Sequence, residues 1–458
     1  MQGSEGLFEP IFATDEIAPI LSPQNWVQKM VDVECALAAA EAECGVIPAA
    51  AAEAIARLRA DHGIDPTELG RESRSGGTPV ISLVRILTDK LPESARPWIH
   101  YGSTSQDILD SATMLVAREA IPVVYSDLVQ VVSLLASLAD RYRYTPMVAR
   151  TLQQHALPTT FGLKAASWLG GVVSASAPLE RMFNEELAVQ FGGAGGTLAA
   201  LGGDGLLVGE KLASNLGLKF PLMPWHAQRV RVAELGSAFS LIVGALAKLA
   251  GDIVLGNQAE VGEFSESGGS GGGSSALPQK ANPVGAIIVN SCFRRAMGLL
   301  PVLYGCLLAE NERGAGEWQA EWQPLRDLIS ITATAANRSA ISLANLEIDE
   351  SKMLRNLELS RGNVMSERIL LGLTRSLGRT VAHNLVREAT MRSSANQTPL
   401  LTELRMEAAF RQSFTEEEAL ALFDPISYLG SAQSFIDGAL AQAQSVLPRW
   451  QAIADRHN

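Results

Sequence analysis

Between Gly273 and Pro283 the chain reads GSSALPQKANP, with two serines, a lysine and an asparagine set among prolines, behind five glycines in the six positions 268–273. Glycine reaches backbone conformations closed to other residues, so such a loop can change shape. With Asn282 as N-cap and Pro283 at the first helical position, a helix is expected over Val284–Leu308. Lys280 beside that helix N-terminus makes a carboxylate site. A GxxxxGK[ST] pattern is absent, which argues against a nucleotide P-loop, and the glycines by themselves would serve equally in a linker.

Three further stretches hold polar residues where packing has no need of them. IHYGSTSQD, Ile99 to Asp107, gathers His100, Ser103, Thr104 and Ser105 around Gly102, ahead of a helix expected from near Leu109. Hydroxyls and N–H groups there suit a carboxylate or phosphate, and they suit plain helix capping as well. RTLQQHALPTTFG concentrates Arg150, Gln153, Gln154 and His155 where an apolar helix should begin. A single histidine in that position also reads as a hydrogen-bonded structural residue. In ENERGAGEWQAEWQPL, Trp318 and Trp322 share a helical face and read as packing, leaving Arg313 as the ligand candidate.

These groups need a scaffold, and the pattern around them is helical. Val232, Leu235, Phe239, Ile242, Leu246, Leu249 and Ile253 advance in alternating steps of three and four, a single stripe along one helix. Val124, Leu128, Val131, Leu135 and Leu138 repeat the seam. No Asn-Gly or Asp-Gly turn separates alternating apolar runs. The expected fold is all-α with a core of long helices in a bundle. Glycine and polar interruptions near Asp110 and Arg361 divide it into residues 1–110, 111–360 and 361–458.

The bulk composition narrows the function classes. The chain has 458 residues, 47% hydrophobic and 19% charged, with 37 basic against 49 acidic side chains and a net charge of −12. That balance disfavours a sequence-independent grip on nucleic acid or on an anionic membrane. Cys35, Cys44, Cys292 and Cys306 lie apart with no CxxC, and are expected as thiols of a cytoplasmic protein rather than disulfides or a metal site. MQGSEGLFEPIF shows no signal-peptide pattern. The most membrane-like run, Leu235 to Leu255, is interrupted by Lys248 and Asp252 and is read as a packed helix.

Taken in order, these stretches resemble the fumarase/aspartase superfamily. GSSALPQKANP is similar to its GSSxMPxKxNP signature, HYGSTSQD to HxGxTSxD, and RTLQQHALPTTFG to RTHxQxAxPxTxG. TPVISLV, PWHAQR, AEVGE, GEWQAEW and DPISYLGSA look like the bacterial 3-carboxy-cis,cis-muconate lactonizing branch. The resemblance implies a three-domain all-α fold, a homotetramer with a twenty-helix core, active sites built from three subunits, and no metal or organic cofactor. It implies a di- or tricarboxylate substrate and Ser274 as the base. His155 is a second catalytic candidate. Lys280 and Asn282 would hold a substrate carboxylate, with His100, Thr104, Ser105, Gln154 and Arg313 as further substrate-binding residues.

One departure bears on the chemistry. The histidine that follows RT in many superfamily lyases is Leu152 here, and leucine moves no proton. A nitrogen leaving group needs protonation, whereas a carboxylate, with a conjugate-acid pKa near ~4, leaves without it. Leu152 therefore fits lactone opening and closure better than C–N cleavage, though it does not separate a carboxylate leaving group from nitrite. Gln279 and Ala281 stand where the lactonizing branch commonly has basic residues, and Val230 where an acidic one is usual. Three readings stay open: cycloisomerase, β-elimination lyase acting on a substituted succinate, and a silent crystallin-like homologue.

Overall fold

Both apolar seams close into single helices. In the computed structural model, which describes residues 6–266, 277 and 280–457, the second seam lies on Ser105–Arg141 and the first on Val230–Gly256. Ser274, together with the rest of 267–276, lies outside the described residues. Numbering in chain order the helices that matter below, α1 is Pro23–Glu43, α2 Ser105–Arg141, α3 Phe161–Arg181, α4 Val230–Gly256, α5 Val284–Gly305, α6 Glu317–Ala344 and α7 Ala432–Ala454. All seven residues of the α4 stripe are buried. Each such side chain contributes about 2 kcal/mol relative to exposure, several times an exposed ion pair. The seam therefore outweighs the surface charge pattern in fixing the fold.

The helices run up and down one bundle. α5 packs between α4 and α6, α2 against α3, α6 and α7, and α3 against α4 and α7. At one end Arg229, just ahead of α4, bonds Asp110 of α2 and Glu321 of α6. At the other end Glu266 bonds the first N–H groups of α5 and Ser342 near the end of α6. α2 alone has 37 residues, or about 55 Å at 1.5 Å per residue. The two ends are therefore far apart.

Where a helix start was expected, the chain forms a hairpin. β1, Pro146–Thr151, pairs antiparallel with β2, Gln154–Thr160, and α3 begins only at Phe161 with Thr160 as N-cap. Leu152 and Gln153 form the tip with φ of 49° and 66°. Both central residues of a two-residue hairpin turn take positive φ, which normally selects Asn-Gly. A second pair, β3 Phe264–Glu266 and β4 Leu346–Ile348, closes the same end.

Residue 110, expected near a boundary, lies inside α2, which starts at Ser105 rather than near Leu109. A second core gathers Leu357, Ile369, Leu373, Leu400 and Phe410 with Val148 of the hairpin. α7 returns to the main bundle, where Trp450 meets Tyr125 edge-on at 5.2 Å. Residues 361–458 thus divide their packing between the two cores.

Three helices, Ser105–Arg141, Val230–Gly256 and Val284–Leu308, are long and apolar enough to cross a membrane by length and composition. The first two bury much of their apolar surface in the bundle. The third leaves Ile287, Met297, Val302 and Tyr304 exposed, and Leu241 of α4 and Ile341 of α6 are exposed too.

Candidate active site

At the α2 N-terminus, a single buried carboxylate organises three segments. Asp107 accepts from the N–H groups of Thr104 (3.1 Å), Gly192 (3.0 Å) and Gly193 (2.9 Å), and pairs with His226 Nε2 at 2.7 Å. Burial pushes its carboxyl up, against the pull of His226, Gly193 and Thr104. Gly193 has φ of 68°, and a Cβ there would stand 2.8 Å from the Gly102 carbonyl oxygen, so only glycine fits. Thr104 is the N-cap, and its hydroxyl accepts from Arg313 Nη1 at 3.0 Å. Arg313 Nη2 donates to the Gly193 carbonyl, while its buried Nε has no partner among the described residues. His100 has φ of 59° and pairs through Nδ1 with Glu34 at 2.6 Å. The structure thus brings His100, Thr104, Ser105 and Arg313 to one end of the bundle.

Behind them lies a charge network that sequence patterning does not reveal. Arg229, 1% exposed, donates from Nη1 to Asp110 at 2.7 Å and from Nε to Glu321 at 3.2 Å. Trp318 Nε1 donates to Asp110 at 2.9 Å, and Gln190 supports the same carboxylate. Burial pushes the Glu321 carboxyl up, with Arg229 holding it down against that trend. Trp318 and Trp322 stack edge to face at 5.0 Å, as their spacing predicts. His226 and Arg229 of the PWHAQR segment both reach carboxylates on α2, contacts that the segment's spacing does not encode.

The second motif lies at the opposite end. Arg150 forms two bonds, 2.9 and 2.6 Å, to Glu263, which is 1% exposed and also accepts from Asn356. Gln153, Gln154 and His155 line a cavity of about 680 Å³ with Arg361, Asn363 and Gln397 from the second core. Gln153, Arg361 and Gln397 all have positive φ, and the Asn363 Oδ1 is buried without a partner among the described residues. Left-handed backbone at non-glycine residues, each costing about 1–3 kcal/mol, makes this wall a candidate site. Arg361, Asn363 and Gln397 carry no sequence motif. Burial, and then the Arg150 charge, lower the His155 pKa, so its imidazole is neutral near pH 7. Leu152, at the hairpin tip, is 96% exposed.

Lys280 and Asn282 belong to this same end. Lys280 is exposed. α5 starts at Val284 with Pro283 as its N-cap, not with Asn282 capping and Pro283 inside. The reason is Glu266, whose carboxylate accepts from Gly285 N (3.1 Å) and Ala286 N (3.0 Å) and from the Ser342 hydroxyl. The helix N-terminus expected to receive a substrate carboxylate already holds one of the chain's own.

Two clusters of site residues therefore stand at opposite ends of one subunit. The comparisons identify the architecture. A lyase family model matches residues 12–298, and a model for the adenylosuccinate lyase C-terminus matches 362–439. The chain belongs to the fumarase/aspartase superfamily of lyases. It is 38% identical over 438 residues to the 3-carboxy-cis,cis-muconate cycloisomerase of Bradyrhizobium diazoefficiens, covering 95% of this chain and 97% of that protein. It is 37% identical to nitrosuccinate lyase of Streptomyces davaonensis, covering 98% and 97%. The solved 3-carboxy-cis,cis-muconate lactonizing enzyme of Pseudomonas putida superposes with a TM-score of 0.89 at 35% identity, covering 96% of this chain and 99% of that one. The all-α lyase fold read from the motifs is the fold of this superfamily.

Proposed function

We propose that this chain is a 3-carboxy-cis,cis-muconate cycloisomerase, interconverting that tricarboxylate and its muconolactone in the protocatechuate branch of aromatic breakdown. The observation that carries this reading is Leu152, an exposed apolar side chain at the tip of the second-motif hairpin, where C–N lyases of the superfamily resemblance place a proton donor. In the lactone-to-muconate direction, Ser274 removes a proton from the carbon next to a carboxylate. The electron pair develops on that carboxylate as an aci-carboxylate and then forms the C=C bond. The ring C–O bond breaks, and its electrons leave on a second carboxylate that needs no acid. Fixed donors stabilise the charge as it develops. Lys280, Asn282 and Gln154 supply them from one bundle end and Thr104, Ser105, His100 and Arg313 from the other, with the neutral His155 available as a proton acceptor.

Such a site needs more than one copy of the chain, because a single subunit keeps these groups tens of ångströms apart. The exposed apolar face of α5, continued by Leu241 and Ile341, supports helix packing between copies in a homotetramer. A cytoplasmic compartment and chemistry without an added cofactor complete the reading. A second reading, elimination of nitrite from nitrosuccinate, is favoured by the 37% identity to nitrosuccinate lyase and by Gln279 and Ala281 in the loop.

The test is the ultraviolet absorbance of 3-carboxy-cis,cis-muconate on adding purified protein, beside Ser274→Ala. Turnover lost in the variant is the expected result. Fumarate and nitrite from nitrosuccinate, with muconate untouched, would replace the first reading by the second.

A further inference from the structure

Behind His100 stand two carboxyl groups for which the site described above has no use. Glu34 and Glu41 lie seven residues apart on α1, on one face of the helix, and are 1% and 0% exposed. Glu34 gives one oxygen to His100 Nδ1; its other oxygen and both oxygens of Glu41 have no partner among the described residues. An isolated buried charge costs several kcal/mol, so the three groups must balance among themselves. The neighbouring cations are already engaged. Arg59 pairs with Asp32 at 3.1 Å on the Cys35 side, and Lys211 pairs with Glu43 at 3.4 Å near Asp204 on the Cys44 side. Asp107 faces His100 from the first turn of α2 and is bonded to His226. The short Glu34–His100 bond is strongest as an ion pair, and Glu41, with no donor among the described residues, avoids adding a second buried charge by keeping its proton.

We propose that Glu34 is a positioning residue that holds His100 as an imidazolium, leaving the Nε2–H as a charged donor for a substrate carboxylate. Glu41 stays neutral behind it, so that His100 alone answers the Glu34 charge. The left-handed backbone of His100, strained for a residue with a Cβ, fits this assignment, because the Glu34 bond offsets the strain. Electrostatics agree in direction: Glu34 raises the histidine despite burial, and burial with Glu34 pushes Glu41 up to about 9. The proposal rests on the reading of this bundle end as carboxylate-binding.

Hydrogen–deuterium exchange at histidine Cε1, followed peptide by peptide by mass spectrometry, reads the His100 titration in the full-length protein without substrate. In the parent, His100 is expected to titrate above the ordinary histidine value. Glu34→Gln, which keeps an acceptor and removes the charge, should lower it by at least about one unit, tenfold in proton affinity. Glu41→Gln should leave it in place. With 3-carboxy-cis,cis-muconate, Glu34→Gln should raise KM at least about tenfold near pH 7.5 with little change in kcat, and Glu34→Asp should recover part of it. A parent His100 titrating at or below the ordinary value overturns the proposal even if no variant folds. So does an equal shift from Glu41→Gln. A shifted titration with unchanged KM overturns the substrate contact, and with it the reading of this end as a binding site.

Discussion

Arg229 is the side chain whose loss the interior tolerates least. Arg229→Ala would leave Asp110 and Glu321 facing each other without a cation, an expected loss of about 3–5 kcal/mol in denaturant unfolding. Val230, its exposed neighbour and a departure from the family pattern, should accept glutamate within about 0.5 kcal/mol by the same assay. Glu41 gives a pH-dependent case. Its carboxyl is raised from 4.5 to about 9, so between those values the folded chain keeps a proton that the unfolded chain releases. Stability contributed by this group therefore falls as pH rises through that window, at no more than about 1.4 kcal/mol per unit. Glu41→Gln should melt progressively higher than the parent as pH increases; a gap independent of pH would contradict the assignment. Thr104 and Arg313 were legible as site candidates because motifs mark them. Glu34, Asp107, His226 and Arg229 were not marked as site groups, because what defines them is a partner many residues away in the chain, which no local spacing encodes.

At the scale of elements, what repeats is readable and what turns once is not. The α4 stripe was recoverable because burial recurs every three or four residues from Val232 to Ile253. The β1–β2 hairpin was missed because its tip uses Leu152 and Gln153, neither of which favours positive φ. Replacing the pair by Leu152→Asn with Gln153→Gly should stabilise the protein by about 1–2 kcal/mol in thermal unfolding, by relieving two left-handed residues. No change, or a loss, would mean that the tip packs against something outside this subunit. The start of α5 was misread for a related reason. The capping group is Glu266, nineteen residues ahead of Gly285, so the local Asn-Pro pair gave the wrong cap.

For the whole molecule, the proposed function makes activity a property of the assembly, because the two motif clusters lie at opposite ends of one subunit. A Thr104→Ala variant and a Lys280→Ala variant, each weak alone, should regain activity when mixed under conditions that exchange subunits. With one contribution from each of two chains per site, random mixing leaves about a quarter of sites intact. Activity that stays at the sum of the two separate variants would show that both residues act within one chain. Met297→Lys on the exposed face of α5 should lower the assembly state in sedimentation and lower activity in parallel.

The 37-residue α2 also behaves as a ruler. One residue inserted at its middle would advance the Ser105 end by 1.5 Å and turn it by about 100° relative to the Arg141 end. The two clusters would then be out of phase with each other, although every local contact of the helix could re-form. A change of chain length is therefore expected to be tolerated in the loops at the two ends and not within α2, whose span sets the distance between those ends.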